Sequence, residues 1–206
     1  MNWRELVLSK VDTVVMLATA TTGLRIEDGD ELIAVSMVRL PKEGEPERVT
    51  LFRMVDKDKL VAAFEYHQVS ESRMLYDSSS DDLFQQVLVD WLAPDVTVFT
   101  YNTEFQYRFL ERHVPAELVL YDLPLILRGI ETRLPVDEDQ VTSMTDIASC
   151  MLRRAGRAPA FKKLLAMYGI STDSSVLLPC ESNAEALVQL FDKLEALPVA
   201  MQGVLL

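Results

Sequence analysis

Val11-Asp12-Thr13-Val14-Val15-Met16-Leu17-Ala18-Thr19-Ala20-Thr21-Thr22-Gly23-Leu24 is the stretch on which the fold of this chain turns. Residues 11 to 18 form a short apolar run rich in β-branched side chains, the pattern of a buried strand. Thr19 to Asp30 then supplies turn formers, with Gly23, Gly29 and three acids. A second strand is expected over about Glu31–Leu40, a polar connection over Pro41–Pro46, and a third strand over about Arg48–Val55. Three consecutive strands with short links predict an antiparallel meander. The run Val14–Ala20 also imitates the core of an export signal with its Ala-x-Ala end. Asp12 at its start and Glu5 in the would-be basic region read against export.

Downstream the period changes from strand to helix. Ser80–Leu92 places Leu83, Phe84, Val87, Leu88 and Trp91 at helical spacing, with Asp81 and Asp82 beside the positive end of the helix dipole, and Pro94 closes it. Val96–Tyr101 reads as a buried strand, Thr103–His113 as a helix, and Glu117–Tyr121 as a fifth strand. Arg128–Val141, with Gly129, Pro135 and four acids, reads as a surface excursion. Thr145–Arg154, Phe161–Tyr168 and Glu181–Leu194 each read as helices. Three strands, then alternating helix and strand, then terminal helices predict one mixed-sheet α/β domain over 1–206.

Composition narrows the classes of function. With 49% hydrophobic residues among 206 and only 7 Gly and 9 Pro, the chain is globular rather than disordered or fibrous. Twenty basic against 32 acidic residues leave a charge of −12, so there is no general attraction for a phosphate backbone. Cys150 and Cys180 are too few for a disulfide framework and have no metal-ligand spacing; they read as small buried residues. No stretch approaches the ~20 apolar residues of a membrane span, and a cytoplasmic protein is expected. One basic run, Arg153, Arg154, Arg157, Lys162 and Lys163, contains no acid; it reads as a solvated helix end before it reads as a phosphate-contacting patch.

Five ordered segments resemble the motifs of the DnaQ-like (DEDD, proofreading-type) 3′–5′ exonucleases. Ala18-Thr19-Ala20-Thr21-Thr22-Gly23-Leu24 resembles Asp-x-Glu-Thr-Thr-Gly-Leu, and Tyr66-His67-Gln68-Val69-Ser70 resembles the segment with His-Gly-Ile. Tyr101-Asn102-Thr103-Glu104-Phe105-Gln106, followed by Phe109-Leu110, resembles His-Asn-x-x-Phe-Asp-x-x-Phe-Leu. Thr145-Asp146-Ile147-Ala148 is similar to Thr-Asp-x-Leu-Ala, and Leu178 to Ala184 lies over His-x-x-x-x-Asp-Ala. The resemblance spans about Val11–Lys193 and implies a ribonuclease H-like fold, a mixed five-stranded sheet flanked by helices.

In that family four carboxylates hold two divalent metals that stabilise a phosphodiester displacement, and a His or Tyr near the last Asp serves as general base. The corresponding positions here read Ala18, Ala20, Gln106, Asn183 and, for the base, Leu178. A methyl group cannot replace a bridging carboxylate, and neither amide carries charge for a hard cation. Nearby acids do not substitute. Glu104 lies two residues from Gln106, and Glu181 and Glu185 flank Asn183 at the same offset, so all point off the relevant helix face. Asp12 lies six residues before Ala18, ~20 Å away along a strand. Exchange of two acids for Ala would not account for Gln106, Asn183 and Leu178.

The resemblance therefore implies a degenerate, non-catalytic domain with no cofactor. Its expected partners are single-stranded nucleic acid or a nucleotide, or else a protein or a second copy; no membrane is expected. The residues it assigns to the nucleotide pocket are Thr21, Thr22, Gly23, Leu24, Asn102 and Phe105. Each has a plainer role: Thr22-Gly23 in a turn, Asn102 as a helix cap, Leu24, Phe105 and Phe109 as core. His67 is expected to be structural or solvent-facing, Asp146 to cap its helix, and Gln106 and Asn183 to be able to bond each other. Two alternatives stand beside this reading. One is an active exonuclease using Mg²⁺ or Mn²⁺ at an unrecognised site; the other is a self-associating scaffold involving the apolar tail Val199–Leu206.

Overall fold

The β-branched run near the N-terminus forms the central strand of the sheet, β1 (Thr13–Thr21). The computed structural model describes residues 2–114, 117–131, 143–155, 160–172 and 176–197, with the backbone alone at 131, 150 and 152–155. β1 pairs antiparallel with β2 (Leu32–Pro41), which pairs antiparallel with β3 (Glu47–Phe52). This is the expected meander. β1 runs three residues beyond its apolar stretch, because Thr19 stays in register with Val35 and, past a bulge, Thr21 with Leu32. On its other edge β1 pairs parallel with β4 (Thr97–Thr100), and β4 with β5 (Leu120–Asp122), giving the strand order β3-β2-β1-β4-β5. The expected α/β class and mixed five-stranded sheet are what the described residues form.

Helices cover both faces. The alternation of β1 sends Val15 and Leu17 toward α5 (Asp81–Trp91) and α6 (Thr103–Leu110), where Phe84, Leu88 and Phe109 meet them. Val14, Met16 and Ala18 face the opposite layer. That layer contains α1 (Trp3–Leu8), α7 (Leu123–Glu131), α8 (Met144–Ala155), α9 (Phe161–Met167) and α10 (Pro179–Lys193). α1 was not expected. Its signal is local, an Asn2–Glu5 capping box in which each side chain accepts from the other's backbone N–H. Three short helices between β3 and α5 also went unannounced: α2 (Lys57–Ala62), α3 (Phe64–His67) and α4 (Glu71–Asp77). Each is too short to build an amphipathic period, although Asp56 and Ser70 cap two of them.

One expectation is overturned. Arg128–Glu131, expected to open a surface excursion, is the last turn of α7, with Gly129 and Ile130 buried. The glycine that suggested a loop is there for packing: a Cβ on Gly129 would lie 2.4 Å from the Met151 carbonyl oxygen, so α7 and α8 cross at backbone contact. Asp146 does cap α8, as the N3 partner of a box with Ser143: Ser143 N donates to Asp146 Oδ2 at 2.9 Å and Asp146 N to Ser143 Oγ at 3.2 Å. The rest of the expected excursion, Arg157 and the tail Val199–Leu206 lie outside the described residues. No helix among the described residues is long and apolar enough to cross a membrane.

Candidate functional site

The five positions that the resemblance assigns to a metal site and its base, Ala18, Ala20, Gln106, Leu178 and Asn183, lie on β1, α6 and α10. Ala18 and Ala20 share one face of β1 by its two-residue period, and Ala20 packs in one cluster with Cys180 and Leu178. Leu178 is the N-cap residue of α10, followed by Pro179 in the first turn, and its N–H donates to Glu181 Oε2 at 2.8 Å. Asn183, one turn along α10, donates from Nδ2 to the Tyr101 hydroxyl at 3.1 Å. Gln106 is fully buried on α6 with its amide beside that same phenol, and among the described residues no group meets it at full hydrogen-bond geometry. The expected Gln106–Asn183 bond is thus replaced by one from Asn183 to Tyr101.

This donor set does not fit a pair of divalent cations. Ala18 is 0% exposed, in one apolar cluster with Ala184. Ala20 shares an apolar cluster with Cys180, whose thiol burial pushes up to about 12, so it stays protonated and apolar in behaviour. Hard cations need anionic oxygens, and here there are two methyls, a thiol and two neutral amides. The surrounding acids are engaged elsewhere. Glu104 accepts from Arg108, Glu181 lies by Arg73 and Glu185 pairs with Arg48. Among the described residues, no group of three or more His, Cys, Asp or Glu is placed to hold a metal ion.

A cleft of about 290 Å³ opens beside these positions, beyond the C-terminal ends of β1 and β4. Open α/β sheets commonly place ligands at that end. Its lining brings together Ala20, Thr21, Leu24, Asn102, Phe105 and Asn183 from the sequence reading, with Thr19, Tyr66, Tyr101 and Cys180 added. Leu24 is 80% exposed at the mouth, which removes its core reading. Phe109 is core, as expected, and Phe105 leans on it with ring centroids 5.0 Å apart while lining the cleft. Thr22 and Gly23 are turn residues. Thr22 bonds Glu31 from both backbone and side chain, and Gly23 leaves room for Asp30, whose carboxylate would lie 2.2 Å from an added Cβ.

Asn102 sits at the N-cap position of α6, but in the left-handed region at φ 53°, and its side chain makes no cap bond. The expected capping role passes to Asp122. Its Oδ2 accepts from Asn102 N at 2.9 Å and its Oδ1 from Leu125 N at 3.0 Å, tying the starts of α6 and α7 together. Burial raises the Asp122 carboxyl above its ordinary value against those bonds. His67 is structural: Nδ1 accepts from Val69 N at 2.9 Å and Nε2 lies 3.0 Å from the Leu60 carbonyl, which fixes a neutral tautomer. Burial lowers its pKa accordingly.

The fold is similar to that of exonuclease I. A product-bound exonuclease I structure matches with a TM-score of 0.54 at 15% identity, over 91% of this chain and 46% of that one. The E. coli enzyme in complex with a dT13 oligonucleotide matches with a TM-score of 0.58 at 14% identity, over 88% and 41%. An ExoI/SSB-Ct complex matches with a TM-score of 0.53 at 15% identity, over 91% and 44%. The fold is ribonuclease H-like. This chain spans less than half the length of those exonuclease I chains. By sequence, no family model and no curated protein matches it.

Within that fold the residue the sequence reading left unassigned is Tyr101. It directly follows β4, accepts a hydrogen bond from Asn183 and stacks face to face on Phe161, with centroids 4.3 Å apart and planes at 3°. Burial raises its phenol pKa, so it stays neutral near physiological pH. The sequence reading placed it as the last residue of that strand, one position beyond the observed end; the stack joins residues 60 apart and had no sequence signal. Lys162 and Lys163 of the basic run follow Phe161 and are exposed, while the side chains of Arg153 and Arg154 lie outside the description.

Proposed function

We propose that this chain is a non-catalytic domain of exonuclease fold, used for recognition rather than phosphodiester cleavage. One observation supports the reading: at the positions where the resemblance expects four metal-holding carboxylates and a base, this chain has Ala18, Ala20, Gln106, Asn183 and Leu178, all neutral. A metal pair is what activates water and stabilises the leaving oxygen in such sites, and a neutral donor set forgoes both. Calorimetry with Mn²⁺ and Mg²⁺, run beside trimming assays on labelled single-stranded DNA and RNA, tests it. No saturable metal binding and no metal-dependent shortening are expected. Either one surviving stringent repurification overturns the proposal and favours an active exonuclease with an unrecognised metal site.

Single-stranded nucleic acid is the second reading for the occupant, supported by the dT13 complex of the structural neighbour. The chain's charge of −12 weighs against it, and retention of labelled oligonucleotide at low salt decides it.

A further inference from the structure

His113 lies three residues past the end of α6, in the turn that closes it, where its N–H donates to the Leu110 carbonyl at 2.7 Å. Its Nε2 stands 3.2 Å from Nη1 of Arg53, the residue that follows β3. A guanidinium has donors only, so the imidazole must accept, and its one N–H is at Nδ1. Arg53 is held on three sides. Its backbone N–H donates to the Ile33 carbonyl at 2.8 Å, its Nε donates to Asp81 Oδ1 at 3.0 Å, and its guanidinium lies 5.7 Å over the buried Phe84 ring. His113 meets that same ring at 81°, with centroids 5.8 Å apart. The β3 and α6 ends thus share one aromatic platform on α5.

The charged groups that act on the imidazole are Arg53, Asp81 at the start of α5, and Arg112 beside it in the chain. Two of the three are cations, and the carboxylate is already paired with Arg53 and 77% exposed. Burial and the arginines outweigh Asp81, and the ring titrates below its ordinary value. His67 differs, because its partners are backbone groups that keep their polarity at every pH.

We propose that the Arg53–His113 hydrogen bond is a proton-released clasp that holds the end of α6 against the start of α5. With the ring neutral, Nε2 accepts and the clasp is shut. A proton on Nε2 removes the acceptor and sets two cations side by side. Arg53 then stays with Asp81, and the ring leaves with the turn that bears it. The other end of α6 does not follow, since Asp122 holds the Asn102 N–H there.

The test follows the isotope-labelled full chain by NMR from pH ~7.5 to ~5, either side of the ordinary histidine value of ~6.5. At the upper pH the His113 ring is expected as the Nδ1–H tautomer. As it titrates, hydrogen-exchange protection of the Glu111 and His113 amides should fall about ten-fold or more, the worth of one charge-assisted hydrogen bond, while that of Val35 in mid-sheet holds. Arg53→Met keeps contact with Phe84 and removes the cation, so the ring's pKa rises and protection at 111 and 113 is low at both pH values. His113→Gln supplies an amide oxygen that never titrates, so protection stays high at both. An Nε2–H tautomer at neutral pH, unchanged protection in acid, an equal fall at Val35, or a wild-type pH profile in His113→Gln each overturns the inference. The first three need wild type alone, so a variant that fails to fold leaves the test decisive.

Discussion

Placing a carboxylate at position 18, Ala18→Asp, measures how firmly that position belongs to the core. Ala18 has no exposed surface and shares its cluster with Val14, Met16 and Leu187. A carboxyl placed there meets no cation and is driven to its neutral form, since full burial raises such groups by up to ~3–5 pKa units. A rise of ~3 units from ~3.9, at ~1.4 kcal/mol per unit, costs ~4 kcal/mol at pH ~7. The sign follows from the direction. A folded-state pKa above the unfolded one leaves the loss smallest in acid, and the loss grows as pH rises from ~4 toward the folded value. At pH ~5 only ~1.5 kcal/mol of it remains. Urea unfolding of wild type and variant at both pH values, with and without millimolar Mg²⁺, reads this directly. The expected deficit falls by ~2.5 kcal/mol between the two pH values and ignores Mg²⁺. A small pH-independent deficit refutes the burial argument, and restoration by Mg²⁺ shows that oxygens near position 18 still hold a cation.

Two further outcomes are expected. Gln106→Met keeps shape and removes a fully buried amide that has no well-formed hydrogen bond among the described residues, so it should be neutral or stabilising by ~1 kcal/mol; a loss above ~2 kcal/mol in urea melts means the amide is satisfied in solution. His67 and His113 both titrate below the ordinary histidine value, chiefly through burial, with Arg53 beside His113 adding to it. Their unfolded forms therefore bind protons first. Stability should be fully present above pH ~6.5 and fall as pH drops below it, with a slope of up to ~1.4 kcal/mol per pH unit for each ring. A flat profile between pH ~7 and ~5.5 contradicts the buried tautomers.

What the sequence by itself determined were the elements whose information is local. The β-branched run at Val14, the spacing of Leu83, Phe84 and Leu88, and the turn at Thr22-Gly23 each carry their period or turn chemistry in neighbouring residues. That positions 18, 20, 106 and 183 hold neutral residues where the resembled motifs have acids was likewise legible. Tertiary structure alone decided the rest. Gly129 reads as a loop residue until Met151 is seen against it; Asn102 reads as a cap until Asp122, 20 positions on, is found taking its N–H. Leu24 reads as core until its mouth position exposes it, and the stack of Tyr101 on Phe161 has no sequence signal. The physical reason is common to all four. A residue's helix or strand preference is set by its own neighbours in the chain, but burial, close backbone approach and the partner of a polar atom are set by elements that only folding brings together.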